Sequence, residues 1–197
     1  METAAMIPIE QAELVQPRRN GSDPPEEESV KALSVDLIQD YESFVALRPA
    51  WNRLVAEAGI DHPFIRHEWI RTWWDCFDHD GKLHILVVRE GQDPIAIAPL
   101  MFDHGRLFGI QFRRLRGIAN VYTERFDLIV TRRAKEACEA VWRFLAAESS
   151  TWDILELRQI PHRAAGVDHL RYWAFESKFL LGHWHSSDGP FIPIDCS

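Results

Sequence analysis

The stretch Pro63–Leu100, PFIRHEWIRTWWDCFDHDGKLHILVVREGQDPIAIAPL, decides the fold. Its first part sets Ile65, Trp69, Ile70, Trp73, Trp74 and Phe77 at i, i+3, i+4 spacing. That spacing predicts a helix from about His67 to Phe77 with a broad apolar face. Asp78 to Gly81 stop it. Leu83 to Glu90 has the β-branched and apolar content of a central strand. The loop Gly91-Gln92-Asp93 then returns the chain into Pro94 to Phe102. Pro99 has no N–H to give a ladder, so a bulge or an edge is expected there. A helix this rich in Trp is too apolar to stand in water, and a lone hairpin is marginal. Each therefore requires the other, and more sheet around them.

Working backwards, Ser34 to Gln39 reads as a first strand and Asp40 as the N-cap of the helical pattern that follows. Phe44, Leu47, Trp51, Leu54 and Val55 line one face of that pattern. Pro49 inside it predicts a kink or a helix in two pieces, and Gly59 ends it as a C-cap. Residues 1–33, with QPRRNGSDPPEEES, have no apolar periodicity and read as a disordered acidic tail. The ordered domain is expected over 34–197.

Working forwards, Phe112 to Ile118 is expected as a third strand and Phe126 to Val130 as a fourth, with the polar loop NVYTER between them. Thr131 is placed to cap a helix from Arg132 to about Glu148, with Ala134, Ala137, Cys138, Val141 and Leu145 inward. Trp152 to Leu157 reads as a strand and Ala164 to Ser177 as a helix. Phe179 to His185 and Phe191 to Ile194 are expected as last strands. The order is βαα, three or four strands, then αβαββ. That makes a mixed α/β fold without internal repeats.

Composition narrows the function classes. With 46% hydrophobic residues and eight Trp, the chain can bury a real core, and each buried indole N–H needs a partner. A formal net charge of −8 argues against a nucleic-acid binder. No apolar run approaches the roughly 20 residues of a membrane span, and the N-terminus has no signal-peptide pattern. Cys76, Cys138 and Cys196 are far apart, which suits a reducing, cytoplasmic setting. Cys76 and Cys138 are expected as small buried hydrophobes.

LRPAWNRLVAEAG, PFIRHEWIRTWWDCF, LHILVVREGQDPIAIAPLMF and FDLIV, in that order, resemble the CelD-like branch of the GNAT acyltransferases, linked to cellulose and exopolysaccharide biosynthesis. The resemblance implies a GNAT-like mixed central sheet flanked by helices. It implies acyl transfer from acetyl-CoA or another acyl-CoA to a hydroxyl or amine on a small-molecule or saccharide acceptor. Proteins of this branch carry two GNAT-like halves in tandem, and this chain is similar to the first. A C-terminal GNAT half, or a second copy, is thus an implied partner. GNAT domains hold the CoA pyrophosphate through Q/R-x-x-G-x-G/A. Here the matching run is Arg132-Arg133-Ala134-Lys135-Glu136-Ala137, so Arg132, Arg133 and Ala137 are the implied cofactor-binding residues. Lys135 stands where a glycine allows the phosphates close to the backbone. That departure keeps a rival class open: a non-catalytic GNAT-like domain that packs on a partner.

The loop IANVYTER, Ile118 to Arg125, leads to the strand beside which GNAT substrates lie. Asn120, Tyr122 and Arg125 offer donors, an acceptor and a ring for a polar acceptor molecule. Glu124 is the candidate general base. Other chemistries find less. His67-Glu68 is followed at i+4 by Arg71, not by the His of a zinc-protease helix. His183 and His185, with Asp188, lack a clear further ligand, so no metal is assigned. No GxSxG, P-loop or GxGxxG is present.

Overall fold

The structure, a computed structural model, describes residues 32–77, 81–161 and 164–183. The chain order is β1 (Leu33–Ile38), α1 (Tyr41–Ala46), α2 (Arg48–Glu57), a 3-10 turn (Pro63–Ile65), α3 (His67–Phe77), β2 (Lys82–Glu90), β3 (Asp93–Leu107), β4 (Ile110–Gly117), β5 (Ile129–Val130), α4 (Ala134–Ala147), β6 (Ile154–Glu156) and α5 (Ala165–Glu176). This is a mixed α/β architecture with helices on both faces of one sheet. The expected order βαα, strands, αβα is the order observed over these residues.

Local chemistry explains most boundaries. The Asp40 carboxylate accepts from the Ser43 N–H at 2.7 Å and opens α1. Pro49 divides the predicted helix into α1 and α2, because it fits the first turn of a helix but not its interior. Gly59, at φ +64°, closes α2. Helix α3 spans the predicted residues.

The sheet runs β1-β2-β3-β4-β6, all antiparallel except β4 with β6, which is parallel. At 15 residues β3 is longer than the sequence suggests, and it serves different partners along one edge. Its C-terminal half pairs with β4, from Leu107↔Ile110 to Leu100↔Gly117. Its N-terminal half pairs with β5, at Ile97↔Ile129 and Ala96↔Val130. Strands β4 and β5 are therefore one strand position, broken by the excursion 118–128. The expected fourth strand from Phe126 shrinks to Ile129–Val130 for this reason.

Pro99 sits at the break. The Ile118 N–H donates to the Pro99 carbonyl at 2.9 Å, so that carbonyl, and the side on which Pro99 lacks an N–H, face the excursion. On the other side Pro99 pairs in register with Ile85 of β2, and the register shift falls at Val88/Arg89 instead.

Alternation along the strands sorts the layers. His84, Leu86 and Val88 face α4; the His84 ring lies 6.2 Å from that of Phe144. The opposite face carries Leu83, Ile85, Met101 and Arg116, and there Trp73 of α3 meets Arg116. Helices α1, α2 and α3 join through one aromatic knot. The Trp51 indole donates to the Ile65 carbonyl at 2.7 Å, and His67 Nε2 donates to the Phe44 carbonyl at 2.9 Å. His67 is a core residue, and burial lowers its pKa.

Several expectations are corrected. Helix α4 starts at Ala134, not Arg132. Its N-cap is Arg133, and the Thr131 hydroxyl donates instead to the Ile95 carbonyl at 3.0 Å. Residues 179–183 form no strand. The expected strand Phe191–Ile194, the tail before residue 32, Asp78-His79-Asp80, His185, Asp188 and Cys196 lie outside the described residues. Cys76 is exposed, because it sits on the outer side of α3, and Phe77 is half-exposed. Not every buried indole is satisfied: the N–H groups of Trp69, Trp73 and Trp173 have no hydrogen-bond partner among the described residues.

Candidate functional site

The broken strand position creates the site. Among the described residues strand β6 pairs with β4 alone, from Arg114↔Ile154 to Arg116↔Glu156. Past Gly117 the excursion leaves the sheet. It is tied back where the Phe126 N–H donates to the Gln159 carbonyl at 2.9 Å, with Gln159 at φ +57°. Gly117 is required here, since a Cβ on it would lie 2.7 Å from the Phe126 ring. Between β4, β6 and the start of the excursion lies a cavity of about 200 Å³, lined by Arg114, Arg116, Gly117, Ala119, Asn120, Val121, Glu156 and Arg158.

Its floor is an ion network. The Arg114 guanidinium donates to both Asp103 oxygens at 2.8 Å and to Glu156 at 2.8 Å. Arg116 donates to Asp103 at 2.6 Å and to the Ala119 carbonyl at 2.7 Å, and lies 5.3 Å from the Trp73 ring centre. Arg158 donates to Glu156 at 2.8 Å. Burial pushes the Asp103 carboxyl up, but the hydrogen bonds and charges of Arg114 and Arg116 outweigh it and hold the group below its ordinary value.

The residues expected from the sequence fall into two places. Asn120 lines the cavity, and its side-chain oxygen accepts from the Tyr122 N–H at 3.0 Å. The Tyr122 ring stacks on Phe77 at 5.5 Å, on the rim. Glu124 and Arg125 are exposed further along the excursion. The other group lies near the β2–β3 turn. Arg132 donates to Asp93 at 2.7 Å and to Glu90 at 3.2 Å, and Arg133 donates to Glu90 at 2.7 Å. These guanidiniums hold both carboxyls below their ordinary values. Arg133 adopts φ +50°, and the first turn of α4 has no side-chain cap. Ala137 is buried and Lys135 exposed. Asp93 and Leu100 lie on one strand, so the two places are roughly 23 Å apart at about 3.3 Å per residue.

Sequence reading missed the ion network and Asp127. The signal was present: Arg114 and Arg116 flank buried Leu115 at i, i+2, so both must lie on one face of a strand. Asp127 leaves the excursion just before β5. Burial pushes its carboxyl up to about 6, against the Leu128 N–H that it accepts at 2.7 Å, and the Asp168 charge adds to the rise. Nearby Cys138 is pushed up to about 12 by burial and by Asp127, which leaves it a thiol. No group of three His, Cys, Asp or Glu that could hold a metal occurs among the described residues. No helix among them is long and apolar enough to cross a membrane.

No family model matches the chain, and no curated protein matches it. Among solved structures, it is similar to the ribosomal-protein-alanine N-acetyltransferase of Brucella melitensis biovar Abortus 2308. Identity is 15% and the TM-score 0.46, over 81% of this chain and 99% of that one. It is also similar to an aminoglycoside acetyltransferase from an uncultured soil metagenomic sample, solved with sisomicin. There identity is 11% and the TM-score 0.38, over 80% and 97%. At these identities and scores no role, substrate or residue is carried from them to this chain.

Proposed function

We propose that this protein transfers an acyl group from acyl-CoA to a hydroxyl or amine. The observation that carries the reading is the divided strand position. Strand β5 pairs with β3 on one side and has no strand on the other among the described residues. An extended chain rich in amides, such as the pantetheine arm of CoA, can pair with such an edge as a strand does. Helix α4 begins directly after β5, and its uncapped first turn suits a pyrophosphate. Arg132 and Arg133 stand beside that turn, and the small Ala137 packs behind it.

In the reaction, the acceptor nitrogen or oxygen attacks the thioester carbonyl carbon. The C–S bond breaks, the sulfur leaves as the thiolate of CoA, and the acceptor proton passes to a base. Glu124, exposed on the excursion, is the candidate base; Asp127 is turned instead against Gly166 of α5, beside Cys138 of α4. Asn120, Tyr122 and Arg125 would bind the acceptor. A saccharide hydroxyl is the acceptor that the CelD-like reading names. In that reading the chain is the first half of a tandem protein working in the cytoplasm.

A second reading is favoured by Lys135 and by the pairing of Arg132 and Arg133 with Glu90 and Asp93. There the domain keeps the fold, does not bind acyl-CoA and packs on a partner. Calorimetric titration of residues 1–197 with acetyl-CoA separates the two. Binding in the micromolar range supports acyl transfer. Absence of binding, with none gained on extending the chain beyond Ser197, overturns it in favour of the packing domain.

A further inference from the structure

We infer that the cavity between β4 and β6 binds a carboxylate, so that the acceptor is a small carboxylate-bearing molecule; the acceptor role rests on the acyl-transfer reading, while the anion site does not. Charge comes first. Among the described residues Arg114, Arg116 and Arg158 pair with Asp103 and Glu156 alone, which leaves one positive charge in excess. Donor supply points the same way. Arg114 spends each of its guanidinium nitrogens on carboxylates. Arg116 has bonds from Nε and Nη1 but none from Nη2. Arg158 has contacts from Nε and Nη2 but none from Nη1. The Asn120 oxygen accepts from the Tyr122 N–H, and its Nδ2 has no partner among the described residues.

The residues around the cavity thus hold spare donors and an excess positive charge, while their carboxylates are already engaged. A group that only accepts and carries negative charge satisfies both, and a neutral amide or an amine does not. At about 200 Å³ the space takes such a head group and not a whole cofactor. Phe77 and Tyr122, stacked and exposed beside Val121, offer the rim an apolar surface for the rest of the molecule.

The test is ligand-observed NMR on the full chain, without any acyl donor, using benzoate, its neutral isostere benzamide and inorganic phosphate. Benzoate is expected to bind saturably and in preference to both others. Arg158→Gln removes an exposed guanidinium and should weaken benzoate by up to about fivefold, the scale of one such contact. Asn120→Asp keeps the oxygen that accepts from Tyr122, replaces the donor by a charge, and should abolish benzoate binding with the melting temperature little changed. Benzamide binding as tightly as benzoate, phosphate binding more tightly, or benzoate indifferent to both substitutions would each overturn the inference. Acetyl-CoA titrated in a separate sample keeps the two proposals apart. Benzoate binding, with no acetyl-CoA binding by residues 1–197 or by the chain extended beyond Ser197, leaves the anion site and removes acyl transfer; the converse removes the carboxylate site alone.

Discussion

His84 shows what a single buried ring does to this protein. It is 1% exposed, wedged between Phe102 and Phe144. Its Nε2 lies 3.1 Å from a Glu148 oxygen, yet neither atom is aligned for a hydrogen bond. Burial depresses the His84 pKa to about 4, from an ordinary 6.5. The unfolded chain therefore binds more protons between those values, and stability falls as pH drops through that window. Urea melts should show a loss of up to about 3 kcal/mol between pH 7 and pH 4, and His84→Leu should remove most of that slope. Asp127 has the opposite sign. Its raised carboxyl is protonated more readily in the folded state, so its contribution is lost as pH rises through about 6. Asp127→Asn should thus raise the melting temperature at pH 8. Glu124→Gln is expected to cut turnover at least about tenfold, and an unchanged rate removes Glu124 as the base.

The excursion 118–128 is the element on which the site depends. Gly117→Ala would set a methyl group into the Phe126 ring, so either the ring or the excursion must shift. A loss of about 1–3 kcal/mol is expected, with faster proteolysis inside 118–128 as the specific sign. Legibility in the sequence also divides by element. Helices α1 to α3 and the β2–β3 hairpin could be read closely, because caps, Pro49 and apolar spacing are local signals. Strand β5 could not be read well, because its length is set by a pairing with Ile97 and Ala96 that no local pattern announces. The site was half legible. A polar run such as NVYTER marks itself, whereas Arg114 and Arg116 look like solvated charges until β6 brings Glu156 beside them.

For the whole molecule, the apolar centre is β2 with the first half of β3. Both are buried on both faces, as in a sheet covered by two helical layers. Charge is paired over the surface around it, and the Asp103 network is the most buried of these ion groups. Asp103→Asn would leave Arg114 and Arg116 facing one fewer carboxylate. A cost of about 3 kcal/mol is expected in chemical denaturation, larger than for the exposed pair Arg71–Asp75. Ligand binding reaches the same scale. Acetyl-CoA at about a hundred times its dissociation constant should stabilise the fold by about 2.7 kcal/mol, which a thermal shift would read directly.

Pro99 has a consequence for how this scaffold can diversify. Pro99 offers the side of the excursion no N–H, and its carbonyl is already met by the Ile118 N–H, so the chain can depart after Ile118 and rejoin at Ile129 without orphaning a ladder donor. The length and composition of the segment between can drift while the frame on either side keeps its register. In an evolving or engineered lineage, new ligands would be acquired by rewriting that segment alone, with the cost in folding confined to its two anchors.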